Sequence, residues 1–181
     1  MTGLLQIRNR QRARAVNLPL LRQITRHLLT EHFHAAECEL CIHLIAAREM
    51  ACLNGTFLQH AGSTDVITFD HSPHALRPTP HSLHGEIFIS LNDAIAQARQ
   101  FRTTWQSELT RYVIHGLLHL AGHDDLESAA RKKMKRAENR MLRAMEEKFK
   151  VAGLSLKTAR SQSSQKIRCS KLSTEHCFTD Y

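Results

Sequence analysis

An α+β domain, a mixed four-stranded sheet packed with helices, is the fold class the sequence predicts. Three observations carry it. Short apolar or β-branched runs of strand length recur along the chain, segments with apolar residues at helical spacing separate most of them, and after the last strand only helical patterns follow. A chain of 181 residues, 42% of them hydrophobic, makes one domain with a real core, assigned to residues 1–150, and a tail, 151–181.

The elements follow in order. Leu4, Leu5 and Ile7 suit a first strand over 4–8, and "NLPLLRQITRHLLTEHF" then sets Leu18, Leu21, Ile24 and Leu28 on one helical face. Asn17 is its expected N-cap and Pro19 falls in the first turn, where a missing N–H costs nothing. A strand over about 38–46 precedes a short helix, "AAREMACLN", ending near Asn54-Gly55. "STDVITFD" is a buried strand, "HSPHALRPTPHSLH" a loop with three of the four prolines, and "GEIFISL" another strand. Ser90 or Asn92 can cap the next helix, "DAIAQARQFRTTW", and a further helix starts near Gln106. The last helix, "LESAARKKMKRAENRMLRAMEEKFKV", is highly charged, with apolar Leu126, Ala130, Met134, Ala137, Met141 and Met145. From about Ala152 serine, threonine and lysine dominate with little periodicity, the composition of a flexible basic tail.

The charge of +8 and pI near 9.6 bias the protein toward polyanions such as RNA. No apolar run approaches the length of a membrane span, so no membrane partner is expected. The arginine-rich N-terminus has too short an apolar run for a secretory signal. An organellar presequence is the alternative to the first strand. Five cysteines, an odd number at irregular spacing, fit reduced thiols and a cytoplasmic location. "CELC", Cys38 to Cys41, has metal or redox spacing but no second such pair completes a zinc ribbon, and a strand with buried cysteines is the alternative.

The chemistry concentrates in "RYVIHGLLHLAGHDDLE", residues 111–127. His115 and His119, four apart on a helix, project from one face and can chelate one cation at ~2.0–2.1 Å per nitrogen. Gly122 permits a left-handed residue that ends the helix and turns the chain back. His123, Asp124 or Asp125 can then return as third ligand, leaving an open position of the catalytic kind. On a continued helix His123 would lie ~12 Å from His115 along the axis. A zinc peptidase of the HExxH type carries a glutamate after its first histidine, but here Gly116 has no side chain to take a proton. Peptide hydrolysis is disfavoured. A phosphodiester substrate asks less of a protein base, because a metal acidifies water to a pKa of ~7 and neutralises phosphate charge.

"HGLLHLAGHDD", preceded in order by "LNGTFLQHAGSTDVITFD" and "HGEIFIS", resembles the YbeY endoribonuclease family of rRNA maturation factors over about residues 1–150. The resemblance implies an α+β fold related to zinc metallopeptidases, with the metal site on a central helix. It also implies a single-strand-specific, metal-dependent endoribonuclease. Such an enzyme acts in ribosome biogenesis and quality control and on the 3′ end of small-subunit (16S) rRNA, with precursor rRNA and the small ribosomal subunit as partners. It carries one Zn2+, on His115, His119 and Asp125; His115 and His119 are then the catalytic centre. The third ligand departs from the family's usual histidine, and His123, where the family commonly has an aromatic residue, is its rival. Leu58 stands where the family commonly has a functional arginine, with Phe57 keeping the preceding aromatic and His60 as a substitute cation.

Other residues have double readings. Asn54 with Ser63, Thr64 and Asp65 either lines the cleft or makes a turn before a strand. Glu86 either contacts substrate, as would Asn54 and His60, or simply starts a strand. His71, His74, His81 and His84 share a loop that is solvated or holds a second metal. Lys132, Lys133, Lys135, Arg136, Arg140 and Arg143, balanced by Glu138, Glu146 and Glu147, form a solvated face that an RNA can touch. The alternative to an enzyme is a ribosome-associated binding protein whose metal is structural or vestigial.

Overall fold

The computed structural model describes residues 2–72 and 82–150. The elements run β1 (Thr2–Asn9), α1 (Leu18–His27), a π-helical turn (Leu28–His32), β2 (Glu37–Ile45), α2 (Ala47–Leu58), β3 (Val66–Asp70), β4 (Ser82–Ser90), α3 (Leu91–Phe101), α4 (Trp105–Leu120) and α5 (Ser128–Phe149). The sheet order is β1-β2-β4-β3, with β1, β2 and β4 parallel and β3 antiparallel to β4. This is the mixed four-stranded α+β architecture predicted. The assigned tail, 151–181, and His74 and His81 of the proline-containing loop lie outside the described residues. No helix among the described residues is long and apolar enough to cross a membrane.

Strand alternation sends neighbouring side chains to opposite faces of the sheet. On one face Leu40, Ile42, Leu44, Ile87 and Ile89 meet Val113, Ile114 and Leu117 of α4 in the large core, which α1 and α5 complete. On the other, Ile45, Ile67, Phe69 and Phe88 form a smaller cluster with Met50 of α2. Each fully buried Leu or Ile contributes about 1.5–3 kcal/mol, so the large core dominates stability.

Several boundaries differ from the sequence reading, each for a local reason. The first helix is regular only to His27 and ends in a π turn, with Phe33 N–H donating to Leu28 O at 3.1 Å. α2 passes through Gly55 to Leu58, because Gln59 takes the left-handed cap conformation at φ 55°. Ser90 caps α3, while Asn92 accepts a hydrogen bond at 3.1 Å from Ala47 N–H at the start of α2. α3 stops at Phe101, and Thr104 caps α4 from a non-helical conformation. β4 starts at Ser82, before the expected glycine. Cys38 and Cys41 do not form a joint site. Three residues apart on β2, they fall on opposite faces of the sheet.

Candidate metal centre

α4 is buried along most of its length, and His115 and His119 lie one turn apart on it, 5% and 6% exposed. Gly116 is what lets α4 approach the sheet. A Cβ there would meet Ile87 Cγ2 at 2.6 Å, so a glutamate at this position would be driven into the core.

The helix ends in a Schellman motif. Gly122, at φ 83°, donates to His119 O and His123 N–H donates to Leu118 O, both at 2.9 Å. The chain therefore reverses as expected, and adjacent aspartates part. Asp124 is exposed and accepts from Leu126 N–H at 3.0 Å, whereas Asp125 is buried beside the histidines. Arg131 of α5 anchors this return by donating to the carbonyls of Asp125 (3.0 Å) and Leu126 (3.2 Å).

The donor atoms of His115, His119 and Asp125 all lie within 4.8 Å of one another. His123, the rival, is not in this group. Its backbone carbonyl faces His119 Nδ1 at 3.1 Å, and its half-buried ring lies with Asp124 and Lys133 along a separate hollow.

The protonation pattern follows from the partners. His119 Nδ1 points at a carbonyl, which can only accept, so this nitrogen carries its proton. His115 Nδ1 lies 3.5 Å from Glu138 Oε1 and donates toward a carboxylate in the same way. In neutral rings both Nε2 atoms are then lone pairs, yet they face each other at 3.0 Å. Burial and the neighbouring His115 push the His119 pKa down to about 4, so its ring is neutral at neutral pH. Two facing lone pairs repel unless a cation lies between them. Asp125 Oδ1 is buried with no hydrogen-bond partner among the described residues. Burial raises the Asp125 pKa, and the charges of His115 and Arg131 oppose that rise. The donor set fits a divalent cation in both charge and lone-pair direction.

Glu138 corrects the sequence reading, which treated it as a charge balancing a solvated helix face. It is buried against His115. Burial raises its pKa, but the His115 bond and the Arg111 charge outweigh this and hold it below the ordinary carboxylate value. Arg111 reaches Glu138 Oε2 at 3.6 Å, Glu108 Oε2 at 3.2 Å and Asn139 Oδ1 at 2.9 Å, tying α4 to α5 behind the histidines. A signal was available: 134, 138, 141 and 145 follow helical spacing, so Glu138 sits in the buried methionine stripe. The exposed lysines and arginines of α5 do lie on the solvated face, as read.

The remaining predicted residues divide. Asp65 is buried and near enough to feel the His115 charge; burial raises its pKa, and its carboxylate accepts from Thr64 and Val66. Ser63 and Ser90 both donate to Asp93, a hub the sequence reading missed. The Asn54 amide donates to Gly62 O at 2.9 Å and so holds the loop after α2. His60 is exposed on that loop. Leu58 packs against the smaller apolar cluster. Glu86 is not brought to the histidine pair, because it follows the sheet face opposite Ile87 and lies near His43 and His71.

Comparisons with known proteins bear on the family and the fold. The family described as Endoribonuclease YbeY matches residues 6–146. A relative of that name from Chlorobium phaeovibrioides is 32% identical over 158 residues, 87% of this chain and 98% of the relative. Another, from Salinibacter ruber, is 38% identical over 101 residues, 51% of this chain and 61% of the relative. The chain thus spans about three fifths of the length of several curated relatives that it matches. The solution structure of TM1509 from Thermotoga maritima superposes with a TM-score of 0.58 at 23% identity, covering 81% of this chain and 92% of that one, and shares the fold. With the family match spanning most of the domain that carries the His115, His119 and Asp125 group, the chain belongs to the YbeY family.

Proposed function

We propose that the chain is a single-strand-specific, metal-dependent endoribonuclease. Its substrate is precursor rRNA, including the late-processed 3′ end of small-subunit (16S) rRNA, in cytoplasmic ribosome biogenesis and quality control with the small ribosomal subunit as partner. The observation that carries this reading is the pair of Nε2 atoms facing each other at 3.0 Å, with a buried Asp125 oxygen that has no partner among the described residues beside them, in a member of a family whose relatives bear the name endoribonuclease. His115, His119 and Asp125 would hold one Zn2+ per chain, and this mixed nitrogen and oxygen set suits that ion. When bound, such an ion supplies acidified water and charge neutralisation at a phosphate oxygen.

The chain's own residues do the rest. Glu138 holds the His115 ring in the tautomer whose Nε2 is free, and the His123 carbonyl does the same for His119. Arg131 fixes the backbone that carries Asp125. Gly116 leaves no protein base beside the first histidine, which favours a phosphodiester over a peptide. His60, on the exposed loop after α2, is the candidate phosphate contact. The Asn54 amide is engaged with the loop, and Glu86 would meet RNA only across the other sheet face. Exposed cations of α5 can hold the backbone of single-stranded RNA. The double variant His115→Ala/His119→Ala is expected to lose cleavage of an rRNA precursor entirely, and full activity would sink the assignment.

One observation favours a second reading, a ribosome-associated binding protein whose metal site is structural or vestigial. Leu58, where relatives of the family commonly carry a functional arginine, is packed among apolar side chains and brings no cation to the cleft. Ribosome binding by a metal-free protein that cuts no RNA would select that reading.

A further inference from the structure

The outer face of the sheet carries a second cluster that the α4 chemistry leaves unused. Cys41 and His43, two apart on β2, point to the same side. Glu86 of β4 is the register partner of Cys41. The ligating atoms of Cys41, His43 and Glu86 all lie within 4.8 Å of one another.

His43 is the independent sign of a ligand. It is 5% exposed, Nδ1 has no hydrogen-bond partner among the described residues, and Nε2 has only the Glu86 carboxylate beside it. Leaving a buried polar group unsatisfied costs about 1–3 kcal/mol. The ring has little freedom to turn toward water, because it stacks on Phe88 at 4.3 Å between centroids and 5° between planes. Phe88 is held in turn by the edge of Phe69. Nε2 stands 3.5 Å from Glu86 Oε1, longer than the ~2.7–2.9 Å of a charge-assisted hydrogen bond. Two donors sharing one tetrahedral ion at ~2.0–2.1 Å lie ~3.3 Å apart, close to the distance observed.

We propose that Cys41, His43 and Glu86 form a second metal site, independent of the α4 centre, for a borderline-soft divalent cation of the zinc class. The thiol and imidazole donors select such an ion over magnesium or calcium, which take oxygen ligands. Binding converts the Cys41 thiol to a thiolate, whose proton passes to solvent, while Glu86 contributes one carboxylate oxygen. The fourth position faces water or His71, whose Nε2 lies 4.0 Å from the second Glu86 oxygen.

Cobalt(II) titration of the chelator-stripped, full-length protein tests this, because the group of His115, His119 and Asp125 contains no sulfur. Wild type should take up a second equivalent and develop a near-ultraviolet thiolate-to-cobalt charge-transfer band. Cys41→Ser and, separately, His43→Gln should lose that equivalent, with the band abolished in Cys41→Ser and far-ultraviolet circular dichroism unchanged in both. The His115→Ala/His119→Ala protein should keep the band while losing the other equivalent, which separates failure at one site from failure at the other. Absence of the band in wild type, or its survival in Cys41→Ser through another cysteine, overturns the proposal.

Discussion

The two faces of one sheet treat their histidines differently. On the α4 face His115 and His119 each have a partner behind the ring, Glu138 and the His123 carbonyl, and present Nε2 forward. On the α2 face His43 is held by stacking on Phe88, with Glu86 at 3.5 Å from Nε2 and no partner for Nδ1 among the described residues. A helix delivers two imidazoles one turn apart with neighbouring helices available as backing. A strand delivers donors at every second residue and must borrow the rest from the next strand. Backing fixes tautomer and direction, so the α4 group would be prepared for a cation before one arrived, whereas the proposed sheet group would have to be completed by its ion.

Breaking the α4 site at its proposed third ligand should have the largest effect. Asp125→Ala is expected to remove the bound metal, and with it cleavage, whereas His123→Ala, which keeps the backbone carbonyl, leaves the metal in place. Metal content and precursor cleavage measured together check this, and the reverse pattern would make His123 the ligand. Backing comes next. Glu138→Gln keeps the shape but removes the charge behind His115, and should weaken metal affinity about 10–100-fold in a competition titration with a chelator.

Gly116→Ala examines the approach of α4 to the sheet. The added Cβ would clash with Ile87, and the expected cost is about 1–3 kcal/mol in chemical denaturation despite alanine's better helix propensity. The smallest effect is on pH dependence. His119 falls to about 4 in the folded state from an ordinary 6.5. Between those values the unfolded chain binds a proton that the folded chain refuses, so metal-free stability is lost as pH falls through this window. Asp65 and Asp125, raised by burial, act with the opposite sign, so the comparison is made with His119→Gln. At about pH 5.5 wild type should have lost about 1 kcal/mol more than this variant, relative to neutral pH.

Much of the fold was legible because its signals are local. Strand runs, the Asn17 cap and the Gly122 reversal depend on residues within a turn or two of each other. The same holds for the HxxxH pair, whose spacing alone sets both rings on one face. Boundaries failed where non-glycine residues took left-handed caps, as at Gln59 and Arg102, since no composition signal marks such a choice. Glu138 failed because a charged residue in a charged helix reads as solvated until the helix is seen against α4.

The sequence by itself therefore determined the helix, its paired imidazoles and the turn that follows them, because backbone geometry over a few residues dictates where they point. Only the tertiary structure decided which returning residue stands beside the pair, which carboxylate backs His115, and that Cys41 meets Glu86 rather than Cys38. Each of these joins elements distant along the chain, and their meeting is set by the packing of α4, α5 and the strands.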